Sequence, residues 1–213
     1  MNINDVEDPK DIPDDIWEAI FIKQNELAEK YSDIEGMGDL LQTKKNNINT
    51  AKGQKWLKDF AWRVTEEIAE AWEAYDMIEE WEAYDMIEEP DDQYQLHFKE
   101  ELADALHFLV ELTIIAGYDE SVVPPIEGTV LADEDTEPWS TIYNMGLMCN
   151  TLKNKPWKQT QMLTDRNEFE KYLKKTWEQF SKLIYYHIGE EDEIYNFYFK
   201  KNAVNKFRQR SKY

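Results

Sequence analysis

Glu67-Ile68-Ala69-Glu70 and Glu101-Leu102-Ala103-Asp104 are two acidic pairs, each spaced i, i+3. On a helix that spacing places both carboxylates of a pair on one face. Two such helices packed together would converge four oxygen donors, a cage suited to a hard divalent cation such as Mg²⁺ or Mn²⁺. No other ligand set competes: His97, His107 and His187 are scattered, and Cys149 is the single cysteine. Carboxylates on an apolar helix are costly to bury unless paired or metal-bound, so Glu101 and Asp104 need a partner of opposite charge, and a salt bridge to Lys or Arg elsewhere is the simpler reading of that pair.

The elements that must position these groups read as helices. Asp14 or Asp15 can cap a first helix whose apolar positions Ile16, Trp17, Ile20, Phe21, Leu27, Ala28 and Tyr31 follow the 3.6-residue period, ending near Asp33 to Gly38. Gly36 to Gly53 is polar and reads as a connector. Leu57, Phe60, Ala61, Val64, Ile68, Ala71 and Tyr75 then mark a second helix, with Glu67 and Glu70 flanking its apolar stripe and Glu66 pointing away. A third helix, from about Tyr94 to Gly117, is apolar almost all round and belongs in the core.

Ser121 to Pro138 is acidic, contains Pro124-Pro125 and reads as a loop. Ser140 opens a short helix to about Leu152. Asp165 to Glu168 has the form of a capping box ahead of a helix that stops at Gly189. On a last helix, from about Asp192, Tyr198, Lys201, Asn205 and Arg208 fall at i, i+3, i+7 and i+10. They make one face with two cations and an amide, suited to a polyphosphate.

With 213 residues and 25.5 kDa, one compact all-α domain spanning 1–213 is expected. The acidic N-terminal stretch lacks an apolar export signal and no run is long enough to span a membrane, so a cytoplasmic, membrane-free protein is expected. The lone cysteine fits a reducing compartment. A net charge of −21 argues against a nucleic-acid partner. Charge is uneven, however: Lys200 to Tyr213 holds six basic residues and no acid, leaving room for an anionic small molecule. Trp72–Glu80 (WEAYDMIEE) is repeated without change as Trp81–Glu89 and reads as a local duplication, its extra copy a tolerated extension.

The EIAE pair, the ELADALHF segment and the ending YFKKNAVNKFRQRSKY resemble the all-α dimeric dUTPase branch of the MazG-like nucleoside triphosphate pyrophosphatases, especially bacteriophage dUTPase and dCTPase/dUTPase members. The resemblance covers the second, third and last helices and, more loosely, the first; residues 118–191 read as a helical insertion. It implies a MazG-like helical bundle, a homodimer and, for a phage protein, the host cytoplasm. Glu67, Glu70, Glu101 and Asp104 match the family's Mg²⁺-ligating carboxylates. Lys201, Asn202, Asn205 and Arg208 match the motif that contacts phosphate and sugar. Gln24 matches a glutamine that hydrogen-bonds the pyrimidine, and Phe108 an aromatic that packs on the base. The duplicated WEAYDMIEE stands where relatives carry a Trp-rich segment near the base, leaving open whether Trp72 or Trp81 reaches it, and Lys212-Tyr213 replaces the usual terminal Gly-Tyr.

The expected activity is Mg²⁺-dependent hydrolysis of dUTP to dUMP and pyrophosphate, with Mn²⁺ a possible substitute. Glu67 or Glu70 would orient the attacking water, and Lys201 and Arg208 would stabilise the departing pyrophosphate. The alternatives are a bifunctional dCTP/dUTP or broader triphosphate pyrophosphatase, and a non-enzymatic acidic helical module that binds a basic protein.

Overall fold

In a computed structural model of the chain, residues 1–83, 92–125, 138–154 and 162–210 are described. The helices are α1 (Ile16–Glu35), α2 (Lys44–Asn47), α3 (Ala51–Ala83), α4 (Asp92–Ile115), α5 (Trp139–Thr151), α6 (Arg166–His187) and α7 (Glu191–Arg210). Short 3₁₀ turns occupy Ile3–Asp5 and Glu120–Val122. No strand occurs among the described residues, so the fold is all-α as expected. No helix among them is long and apolar enough to cross a membrane.

The α3–α4 pairing is the most extensive among the described helices. It is antiparallel: Phe60 meets Phe108 (ring centroids 6.2 Å apart) while Trp72 meets Phe98 (5.7 Å). The stripe of α3 from Leu57 to Ala71 is buried, and on α4 Leu102, Ala105, Leu106, Leu109, Val110 and Leu112 are buried on several sides. Such all-round burial makes α4 the central rod of the bundle. It touches α3, α1, α6 and α7.

Asp15 starts α1 by accepting from the Glu18 amide (2.9 Å), and Gly36, at φ 72°, supplies the left-handed residue that ends it. α7 runs parallel to α1, with the Tyr198 hydroxyl 3.2 Å from the Ile20 carbonyl and the Tyr31 hydroxyl 3.2 Å from the Asn205 carbonyl. Against α4 it runs antiparallel, stacking Tyr198 on His107 with centroids 4.2 Å apart. Ahead of α1, residues 1–12 lie along α7 in the opposite sense: Ile3 is buried at its C-terminal half, Asp8 pairs with Lys200, and Pro9 and Ile12 face Asp192 and Asn196.

α5 and α6 pack on each other and on this frame. Asp165 accepts from the amides of Asn167 (3.0 Å) and Glu168 (3.1 Å), the capping signal read in the sequence. Within residues 118–191, Phe169, Leu173, Trp177, Phe180, Leu183 and Ile184 belong to the same core as α3 and α4. Trp177 is 0% exposed; its indole donates to Thr113 Oγ1 (2.9 Å) and its ring lies against Trp17 and Phe21.

The polar connector is more than a linker. α2 forms within it, and buried Asn47 donates to the carbonyls of Leu40 and Ile115, both at 2.8 Å, tying it to the end of α4. Gln54 reaches the Ile48 carbonyl (2.7 Å) and accepts from the Asn154 amide (2.8 Å). Gly53 permits the approach, since a Cβ there would lie 2.3 Å from the Asn47 carbonyl oxygen. The first repeat copy docks: Ala74 and Ile78 are buried, and Trp72 and Tyr75 pack with Phe98 around His187. Of the second copy, α3 carries the backbone of residues 81–83; its side chains, and residues 84–89 entirely, lie outside the described residues, as does Lys212-Tyr213.

Replacing Trp177 by Ala removes both the central ring and the hydrogen bond to Thr113. A loss of about 3–5 kcal/mol is expected, read in thermal melts as a midpoint lower by roughly 6–20 °C. An unchanged midpoint would mean that α6 is not part of the cooperative core.

Candidate functional site

The α3–α4 register sets Glu67 opposite Glu101 and Asp104, with one carboxylate oxygen from each within 4.8 Å of the others. Glu101 is 8% exposed, and Glu67 and Asp104 are half-buried. Three acids so close cannot all ionise cheaply in a poorly solvated place. Burial, a hydrogen bond with Glu101 and the charges of Asp104, Glu101 and Glu70 push Glu67 up to about 8. Burial also raises Glu101, although Glu67, Lys201 and His97 partly offset it. Glu67 and Glu101 therefore share a proton near neutrality.

Glu70, expected as a fourth donor, is exposed and stands outside this trio, although its charge is felt at Glu67. Glu66 points away as expected, accepting from the Trp62 indole (2.7 Å). The trio offers three hard oxygen donors, the chemistry a divalent cation requires.

α7 supplies the counter-charge. Lys201 is 5% exposed, with Nζ 2.7 Å from Asp104 Oδ2 and 3.7 Å from Glu100 Oε2. Burial alone would lower its pKa, but Asp104 and Glu100 outweigh that and hold it above the ordinary lysine value. Asn202 is buried beside Tyr198, and Asn205 is half-buried near Tyr31. Arg208 is exposed and lines a cavity of about 150 Å³ with Lys201, Glu100, Val204 and the N-terminal Met1, Asn2 and Ile3.

Gln24, on α1, faces α4 at Glu111 and is 2% exposed. Its Nε2 donates to Glu111 Oε2 (2.9 Å) and its Oε1 accepts from the Tyr198 hydroxyl (3.0 Å), so both ends of the amide are held. Phe108 is half-buried against Phe60, with the Arg63 guanidinium 5.4 Å from its ring centroid. Trp72 sits towards the other end of α4, against Phe98, on the far side of the trio from Phe108.

Glu100, Arg63 and Glu111 were not singled out from the sequence. A signal for Glu111 was present: His97, Glu101, Asp104 and Glu111 fall at i, i+4, i+7 and i+14, a polar seam interrupted by Phe108 at i+11. His107 lies off that seam, buried, with Nδ1 2.7 Å from the Ala103 carbonyl.

A carboxyl whose folded pKa lies above its unfolded value contributes stability that is lost as pH rises through the folded pKa. In EDTA the protein should therefore lose stability as pH rises from about 4.5 towards 8, the span of the Glu67 shift. Glu67→Gln, uncharged throughout, should melt at least about 2 °C above wild type at pH 8 and show a flatter pH dependence. Equal midpoints at pH 8 would show that the acids do not repel one another.

Searches of curated proteins and of solved structures find no match. A family profile described as dUTPase matches residues 16–213, a span holding the acidic trio, Lys201 and both helices that position them. The chain thus belongs to the dUTPase family, in an all-α form.

Proposed function

We propose that the protein hydrolyses dUTP to dUMP and pyrophosphate with Mg²⁺ held by Glu67, Glu101 and Asp104. The observation that carries this reading is the convergence of those three carboxylates in a chain of the dUTPase family. The donor set fits the ion: all three ligands are hard oxygens, and their mutual repulsion is relieved by positive charge. When bound, the ion neutralises the triphosphate and polarises its phosphoryl oxygens. Mn²⁺ is the natural substitute.

The remaining roles belong to the chain. Glu67 in its ionised form, with Glu70 one turn along α3, orients the attacking water and takes its proton at a carboxylate oxygen. Lys201 and Arg208 hold the phosphates that depart as pyrophosphate. Lys201 must exchange its hold on Asp104 for phosphate oxygen, which favours substrate binding after the carboxylates have been neutralised. Asn202 and Asn205 face the sugar, while Gln24 and Phe108 receive the pyrimidine. Glu111 and Tyr198 orient the Gln24 amide, leaving its second N–H and second oxygen lone pair for the base. Exposed Trp62, Trp139 and Tyr143 support a homodimer, since such side chains commonly cover one another between subunits.

Pyrophosphate release should be rapid with dUTP and Mg²⁺ and absent in excess EDTA. Glu101→Gln should slow it by at least about a hundredfold, because loss of a ligand exceeds the usual cost of disturbing a ligand's support. Comparable dCTP turnover would redirect the assignment to a bifunctional dCTP/dUTP enzyme. If no triphosphate is hydrolysed, an acidic protein-binding module becomes the better reading.

A further inference from the structure

Residues 1–15 precede the span matched by the dUTPase family, yet they are built into the molecule. Ile3 is buried and its 3₁₀ turn contacts α7. Asp8 pairs with Lys200 at 2.5 Å, immediately before Lys201. Asn2 donates its backbone amide to Asp5 (2.7 Å), closing the turn. Met1, Asn2 and Ile3 consequently form one wall of the cavity whose other walls include Lys201, Glu100, Val204 and Arg208. Its volume of about 150 Å³ is below the roughly 300–1,000 Å³ of pockets for drug-sized ligands, so it suits only a compact group.

We propose that this N-terminal strap is a working wall of a pyrophosphate subsite, with the side chain at position 2 facing the anion held by Lys201 and Arg208. The inference rests on the dUTPase reading for its substrate, but the cavity and its wall are independent of it. The strap's anchors support the role. Asp8 engages Lys200 and leaves Lys201 to the site, and buried Ile3 fixes the neighbouring Asn2. Asn2 itself is exposed, so its replacement leaves the core intact.

The test places charge at that position in the full chain. Asn2→Lys should lower, and Asn2→Glu raise, the KM for dUTP and the inhibition constant of inorganic pyrophosphate by about threefold each, as for a unit charge a few ångström from an anion across water. Both effects should shrink as salt is added. Inhibition by dUMP should not change, since dUMP lacks the departing phosphates. Matched melting curves for the two variants, together with effects of opposite sign, would exclude a general loosening of the N-terminus. If wild type turns over dUTP but both variants match it in KM and pyrophosphate inhibition, the strap proposal falls alone. The same holds if both variants shift in one direction, or if dUMP inhibition moves with them. If wild type hydrolyses no triphosphate, the dUTPase reading falls. The subsite is then judged by calorimetric titration with pyrophosphate, where order of affinity Lys, Asn, Glu at position 2 sustains it and equal affinity overturns it.

Discussion

Mutual repulsion among Glu67, Glu101 and Asp104 is the constraint around which the molecule is arranged. Three acids within 4.8 Å, on the most extensive pair among the described helices, oppose the packing that brings them together. The apolar seams of α3 and α4 overcome that repulsion, and two local devices reduce it. Glu67 and Glu101 share a proton, and Lys201 from α7 lies against Asp104. An arrangement that stability alone would disfavour is what a site for positive charge requires.

The neighbouring helices can be understood by what they hold. α7 must deliver Lys201 to the trio, and it is fixed by Tyr198, which stacks on His107 of α4 and bonds to Gln24 and Ile20 of α1. α6 backs the same rod through Trp177 and Thr113. The first WEAYDMIEE copy closes the far end of the α3–α4 pair with Trp72 and Tyr75 around His187, whose burial among these rings pulls its pKa down to about 4. The seam on α4 thus runs from an aromatic cluster through the acids to Phe108 and Glu111. That ordering separates the part that stabilises the hairpin from the part assigned to the nucleotide.

Much of this was legible in the chain because helix faces are periodic. The two i, i+3 acidic pairs, a cap at Asp14 or Asp15, the Asp165 cap, an end of α1 between Asp33 and Gly38 and the burial of α4 follow from spacing and residue type alone, and the structure selects Asp15 and Gly36. What periodicity cannot show is rotation within a face. Glu70 has the same spacing to Glu67 that Asp104 has to Glu101, yet it stands exposed because α3 presents Glu67 more directly to α4. The connector from Gly36 to Gly53 misled for another reason: buried Asn47 and Gln54 are polar by composition but act as crosslinks between backbone carbonyls, which only tertiary structure reveals. Residues 118–191 carry no chemical motif beyond the Asp165 cap and the Gly189 stop, yet α6 contributes large core side chains, since packing depends on shape rather than on signature.

The dependence of the melting midpoint on Mg²⁺ concentration, for wild type and for Asp104→Asn, tests the central claim most directly. Binding to the folded state alone must raise stability with ligand concentration. Wild type should therefore melt progressively higher as Mg²⁺ rises, with a much smaller response in Asp104→Asn. A wild-type midpoint indifferent to Mg²⁺, or an equal rise in the variant, would mean that the three converging acids do not form a cation site.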